Sequence, residues 1–591
     1  MKFSGYRTIT WDLIQITNII LRYNRFKNEF SAGFRGCIMA KKTVEKILKG
    51  VATGDVKVVS EEIKGTLSRT IGLATLVILS LSSMLGSGLF ILPAFAQEVA
   101  GDGMWFAFVL AASVVLTGAF SKSELASAMP ESGGVYIYME RTYGSLMGTI
   151  SGLGLFASFM LKSAFALIGF AAYLEVVTAA LDVEVNPITM ALVLLTFIVI
   201  INITGVKKIK KVQTPIVGTA VLFLLVLCIM ALLSGDADLS KPVTNVDYFS
   251  PEMGTAAALV FVAYSGAIKV GAIGGEVMDP EKNIPRGMFA SLLVATILYA
   301  GVAFVMVSVL PTGWHMEDPT HAIENPIYVF ADEVAGSTVG VIAALLAIIT
   351  MASMALAGVL SASRFLFAMA RDNLLPSKLE DLNPTYETPH WPIIITGVMM
   401  ATAILTIDVH AIAELASGFN IMVFVAINAS VVVMRHAGPH HSWNPPYKSP
   451  LYPLPQIYGA GTGIILLWLI GMNALIGAAG AIGLGVFVWL AYGRRHVLEE
   501  ARVTPFAAFK ARFRNPTPEA TERFYTAFRA ADVGRKNHLT LSEFRSALVQ
   551  GLGLDLTPME VRTYFHNADE NGHGVVDIDE FLTIMQSDEE E

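Results

Sequence analysis

An apolar stretch long enough to cross a bilayer, but broken at its middle, limits this chain's fold more than any other feature. Ile71 to Phe95 reads IGLATLVILSLSSMLGSGLFILPAF. About 20 apolar residues in a helix span the roughly 30 Å of hydrocarbon, yet Gly86, Ser87, Gly88 and Pro93 interrupt this one. A glycine costs about 1 kcal/mol against alanine in a helix interior, and irregular backbone persists at membrane depth only where protein buries it or it lines a cavity. Two readings are open. In one, free amides at the start of the second half-helix face an anionic group, with the helix dipole aligned to help. In the other, the glycines are a small-residue seam between packed helices.

A second break favours the site. Thr255 to Gly275 is apolar except for Tyr264, Ser265 and Gly266 at its middle and Lys269 one turn later, and it is the sixth such segment. In transporters built from two inverted repeats of five helices, the first and sixth helices are equivalent and their interruptions hold the substrate near the midplane.

Only 15% of the 591 residues are charged and 54% are hydrophobic, against about 25% charged in a soluble domain, so the chain is a membrane protein. The two cysteines, Cys37 and Cys228, lie too far apart in the chain to suggest a disulfide framework or a cysteine metal site. Nothing in the composition, net charge −8, points to nucleic acid. Further spans are expected near 104–128, 148–174, 187–204, 213–233, 255–275, 288–310, 334–368, 391–408, 411–434, 456–474 and 476–493, which makes twelve with the first. Alternate loops carry Lys207, Lys208, Lys210 and Lys211, then Lys282 and Arg286, Arg371 and Lys378, Arg435 and Lys448. The intervening ones are nearly bare of bases. The positive-inside rule makes the first set cytoplasmic, and an even number of spans then puts both termini there too.

Residues 1–70 are expected to be a basic N-terminal cytoplasmic arm, with an interfacial helix or a transit sequence as alternatives. Residues 496–515 form a basic and aromatic juxtamembrane linker containing Phe506, Phe509 and Phe513, suited to resting on anionic lipid. Residues 516–591 read as a small soluble module of four short helices.

That module holds the most specific local motif. Asp569 to Glu580 places Asp569, Asn571, Asp577 and Glu580 at positions 1, 3, 9 and 12 of a twelve-residue loop, with the carbonyl of Val575 at position 7 and a glycine at position 6. This resembles an EF-hand calcium loop. The departure is His573 at position 5, where an oxygen ligand is usual. An earlier loop, Asp532 to Glu543, keeps the first and last acids but has Gly534 and Lys536 at positions 3 and 5 and Asn537 at the turn. It is expected to be a partner hand that binds calcium weakly or not at all, paired through Leu539 with Val576.

Residues 71–495 resemble the amino acid/polyamine/organocation (APC) superfamily of permeases. The likeness rests on the Gly86-Ser87-Gly88-Leu89-Phe90 break, on Pro130 to Tyr136 (PESGGVY), on Tyr264-Ser265-Gly266 followed by Glu276, Pro280, Asn283 and Pro285, and on Arg364 to Pro376 (RFLFAMARDNLLP). The resemblance implies an all-α, twelve-helix membrane transporter: a LeuT-like five-plus-five inverted repeat plus two helices, here followed by the EF-hand pair. It also implies a substrate site. The amides around Gly86, Ser87, Gly88 and Leu89 would receive a carboxylate, the carbonyls around Ala263, Tyr264, Ser265 and Gly266 an ammonium, and Glu276 would order a cytoplasmic gate. Proton-coupled members carry a fifth-helix lysine where this chain has Ala220, so Lys162 in the third span and Lys269 are the candidates for coupling to protons or another ion.

The expected function is secondary active transport of an amino acid, with a calcium-binding cytoplasmic appendage. A polyamine or organic-cation transporter is the alternative within the class, and a non-transporting amino acid sensor the alternative outside it. No nucleophile and base pair, phosphate loop or intramembrane metal cluster suggests an enzyme.

Overall fold

The computed structural model describes residues 71–494, 505–506 and 518–588, apart from 130–133, 206–208, 236, 245, 268–276, 319–320, 384–385, 387, 438–442, 444, 533, 535, 553–560, 562–563, 566–567 and 570–573. The N-terminal arm, Lys269, Glu276, Phe509, Phe513, Asn571 and His573 therefore lie outside the described residues. Two units are present, an apolar helical body and a C-terminal module from Pro518 to Ile584.

In the body, α1 (Leu73–Met84), α2 (Ser87–Phe90) and α3 (Leu92–Ala100) are one interrupted segment. There follow α4 (Met104–Ala128), a short α5 (Val135–Tyr143), α6 (Ser145–Ala179), α7 (Pro187–Thr204) and α8 (Ile209–Leu233). Next, α9 (Pro251–Val260) tightens into a 3₁₀ turn over Phe261–Ser265. Beyond it lie α10 (Pro280–Val309), a short α11 (Pro326–Ala335), α12 (Ser337–Arg371), α13 (His390–Thr406), α14 (Val409–His436), α15 (Leu454–Leu469) and α16 (Met472–Val488). Among the described residues, eight helices are long and apolar enough to cross a membrane, α3 and α4 counting together, while α1, α13 and α15 are shorter apolar helices. The chain is thus an all-α, multi-pass membrane protein. The expected spans at 104–128 and 187–204 coincide with α4 and α7, whereas α5 and α11 are short helices in stretches expected to be loops.

Local chemistry sets several helix starts. Asn186 caps α7 through Thr189 N at 3.0 Å with Pro187 in the first turn, and Ser250 caps α9 through Met253 N at 3.1 Å beside Pro251. Leu222, Leu225, Ile229, Leu232 and Leu233 of α8 stand exposed. A face of that kind is an aggregation hazard in water but the ordinary surface of a helix solvated by lipid. Inside the bundle α6 lies along α12 and α14, while α4 lies along α10.

The C-terminal module contains α17 (Pro518–Ala531), α18 (Leu541–Ser546) and α19 (Ile578–Asp588), with β3 (His538–Leu539) antiparallel to β4 (Val576–Asp577). Strands β1 (Met316–Asp318) and β2 (His321–Ala322) form a short hairpin in a loop of the body. Leu539 pairs with Val576, as the loop positions imply. The rings of Phe528, Phe544, Phe565 and Phe581 pack edge to face at 5.4 to 5.7 Å, so the apolar face of the module is turned inward.

Candidate functional site

The two interruptions lie against each other. Gly86 departs from helical geometry at φ −168° and ψ −123°, and the amides of Leu89 and Phe90 donate back to its carbonyl, both at 3.0 Å. A Cβ added to Gly88 would stand 2.8 Å from Ala263 Cβ and 3.0 Å from the Tyr299 hydroxyl. One added to Gly266 would meet Met84 Cγ at 2.6 Å and Ser80 O at 2.7 Å, and one on Gly86 would collide with Met354 Sδ. The glycines are therefore needed for close approach between the broken segments and α12. This close approach is the small-residue seam of the second reading.

Lys162 occupies the junction. It stands at the midpoint of α6 and is buried. Its ammonium donates to Ser83 O (3.1 Å) at the end of α1, to Val262 O (2.8 Å) and Ala263 O (3.3 Å) in the 3₁₀ turn, and to Ser265 Oγ (2.8 Å). These are carbonyls that the ends of half-helices leave free, carrying the negative pole of each dipole. Of the carbonyls expected to accept an ammonium, that of Ala263 is thus engaged by the chain's own amine, which also takes Val262 O and Ser83 O. Ser417 of α14 secures the same turn, accepting from Val262 N at 3.2 Å and donating to Leu259 O at 2.8 Å.

Other candidates fall around this junction. Ser87 N and Oγ approach Met354 Sδ at 3.4 and 3.7 Å, a weak acceptor for an amide. Tyr264 is fully buried, donates to Phe108 O at 2.9 Å and packs its ring on Tyr299, so it joins the turn to α4 and α10. Ala220 is buried on α8. Beside Lys162, the structure buries Lys122 of α4, with its ammonium 5.9 Å above the Phe424 ring. Its position inside the expected 104–128 span was the available signal.

Two motifs that are separate in sequence meet in space. Tyr136, from the PESGGVY stretch, donates to Asp372 at 2.9 Å, within the RFLFAMARDNLLP stretch. Glu124, wholly buried, accepts from Arg435 Nε (2.8 Å) and Nη2 (2.6 Å), Trp443 Nε1 (3.0 Å) and Ser449 N (2.8 Å). With four donors its charge is matched, and it anchors the loop after α14 to the end of α4. Met278 N donates to Ile71 O at 2.9 Å, fixing the entry to α1 against the chain that leaves the sixth segment. The Phe506 ring, in the linker expected to rest on anionic lipid, packs on Tyr143 of α5 at 5.1 Å.

In the second hand the carboxylates are held by the loop's own amides. Asp569 accepts from Gly574 N at 2.8 Å, Asp577 from Asp579 N and Glu580 N at 2.9 Å each, and Glu580 from Asp577 N at 2.8 Å. Gly574 has φ +76°, the left-handed turn that position 6 requires. Three carboxylates, Asp569, Asp577 and Glu580, lie on this loop, but among the described residues they do not gather into a group that could hold a metal ion. In the first hand Lys536 Nζ reaches both oxygens of Glu543, at 2.9 and 3.0 Å, and Asp532 caps the amides of Lys536 and Asn537, both at 2.9 Å. The Thr540 amide, followed by the Lys536 ammonium, holds the Glu543 carboxyl at about 2. The acid at the last position of this loop is thus paired with the chain's own lysine.

A family model described as amino acid permease matches residues 71–493, and one described as EF-hand domain pair matches 521–586. The chain is 27% identical to the branched-chain amino acid permease BcaP of Bacillus subtilis over 484 residues, 78% of this chain and 99% of that protein. It is 28% identical to the methylthioribose transporter of the same organism (73% and 95% covered) and 26% identical to its serine/threonine exchanger SteT (70% and 95%). Family and relatives are transporters, not enzymes. Matched over most of its length, from the first broken helix to the last apolar one, the chain belongs to the amino acid permease family and carries an EF-hand pair behind it.

Proposed function

We propose that this protein is a secondary active transporter of amino acids. The observation that carries the reading is Lys162 bridging the free carbonyls of both broken helices: an ammonium fits that seat, and the α-ammonium of an amino acid is the same group on a mobile molecule. The first break supplies the opposite polarity, so one amino acid would lie along the junction with its carboxylate towards Ser87 to Leu89. The names of the two amino acid relatives agree; the methylthioribose relative warns that the fold accepts other cargo.

For coupling, the substrate's ammonium can take the seat only when the Lys162 amine withdraws or releases its proton. A proton would then leave the site as substrate enters and return as substrate departs. The loop charges support a cytoplasmic location for both termini, and the ligands Asp569, Asn571, Val575, Asp577 and Glu580 would hold one calcium ion per chain, with water completing the shell near His573. Domain limits at 1–70, 71–495, 496–515 and 516–591 suit this division of labour.

Uptake of radiolabelled amino acids into proteoliposomes tests the reading. Accumulation is expected for at least one amino acid and should be lost in Gly88→Leu, whose side chain must displace Ala263 and Tyr299, with the protein still inserted. Binding without accumulation would make the protein a sensor, and normal uptake by Gly88→Leu would move the site elsewhere. Uptake at low and at micromolar calcium tests whether the hands regulate transport.

A further inference from the structure

Two tyrosines stand ring against ring beside the breaks, Tyr264 and Tyr299, with centroids 5.2 Å apart. Both are fully buried. Tyr264 has placed its hydroxyl on Phe108 O, whereas the Tyr299 hydroxyl has no hydrogen-bond partner among the described residues. A buried hydroxyl without a partner is destabilising, and phenylalanine would fill the same space without that penalty.

The hydroxyl is also held in place. The Tyr299 ring is fixed by Tyr264 on one side and by Phe108, at 5.4 Å, on the other. Its oxygen lies 3.0 Å from where a Cβ on Gly88 would stand, a point only 2.8 Å from the Ala263 methyl. Ala263 therefore separates two polar features. Its carbonyl faces the Lys162 ammonium, and its methyl lies beside Gly88 and the Tyr299 hydroxyl. From one side of this residue to the other, the junction runs from a cation seat to an unmatched donor. An α-amino acid has that polarity over a single carbon.

We propose that Tyr299 is a substrate-binding residue whose hydroxyl donates to the carboxylate of the transported amino acid. This assignment rests on the transport reading above and adds a residue from α10 that neither broken helix supplies. The carboxylate would gain a charge-assisted hydrogen bond, and the hydroxyl would lose its desolvation penalty only when substrate is present. A cargo without a carboxylate would leave the donor unmatched, so Tyr299 would favour amino acids over their amines.

The test uses purified full-length protein with the twenty amino acids and the amines left when they are decarboxylated, such as isopentylamine for leucine and agmatine for arginine. In Tyr299→Phe the ligand-free melting temperature should hold or rise. Affinity for the amino acids that bind the wild type should fall about ten- to a hundredfold, while affinity for the amines stays the same. Tyr173→Phe, which removes a buried hydroxyl that donates to Phe90 O at 2.7 Å and accepts from Ile327 N at 3.1 Å, should lower the melting temperature and leave the preference for a carboxylate intact. Unchanged amino acid affinity in Tyr299→Phe overturns the assignment, as does an equal loss for amines. A wild type that binds none of the twenty overturns the transport reading, and this role with it, before any variant is made.

Discussion

Lys162 and Lys536 do the same thing in two different solvents. Under the proposed function each ammonium occupies a place that a free cation would take: Lys162 among half-helix carbonyls, Lys536 against the carboxylate at the last position of the first hand's loop. Lys162 is buried, and the oxygens around it, Ser83 O, Val262 O, Ala263 O and Ser265 Oγ, are neutral. Lys536 is 36% exposed and its partner carries a full charge. Neutral oxygens at low dielectric attract a cation strongly without cancelling its charge, so the occupant can be exchanged for another cation or can shed its proton. The carboxylate instead forms a neutral pair that water screens and that calcium must break. Under the proposed function the first seat would turn over and the second would stay plugged.

The largest effect should come from removing the buried amine. In Lys162→Ala, accumulation driven by an imposed pH gradient is expected to vanish while exchange of substrate at equal pH persists, measured in proteoliposomes. Unchanged pH-driven uptake would remove Lys162 from coupling and break the parallel between the lysines.

Next in size is the calcium stoichiometry. Titration calorimetry of the full chain should give one calcium ion per protein, with affinity reduced at least tenfold in Glu580→Gln, since a charge-assisted ligand is worth about 1.5–3 kcal/mol. Two equal sites in the wild type would show that Lys536 does not block the first hand. Replacing Gly534, Lys536 and Asn537 together by Asp, Asp and Gly should restore the missing ligands and turn, and raise the count to two.

The smallest effect concerns acid. Glu543 titrates at about 2 rather than its ordinary 4.5, so its interactions contribute stability that is full above about 4.5 and is lost as pH falls towards 2. Because the Thr540 amide is the larger cause, Lys536→Ala should raise the titration midpoint only part of the way back, as a carboxyl NMR titration of the module would read. An unmoved midpoint would show the ion pair to be too well screened to matter.

Much of this was legible along the chain. The breaks at Gly86 to Gly88 and Tyr264 to Gly266 announce themselves because helix-breaking residues inside apolar spans are conspicuous, and Lys162 is conspicuous as a charge far from either end of its span. The Leu539 and Val576 pairing follows from loop position. Glu124 escaped notice because its donors arrive from as far as 325 residues away, and Tyr299 because it is one of 17 tyrosines, on a helix with nothing unusual in its pattern. Phe506 misled because an exposed-looking aromatic in a linker does not reveal which surface covers it.

The division has a physical cause. Hydrophobic length, glycine and proline breaks, and ligand spacing within one loop are local, since each depends on the covalent chain over a few turns. They define a membrane bundle with two interrupted helices and one intact calcium loop. Which carbonyls Lys162 engages, and which tyrosine keeps an unmatched hydroxyl beside Gly88, depends instead on how α4, α6, α10 and the broken helices cross. Crossing is decided by close packing among side chains far apart in sequence, and only the folded molecule contains that information.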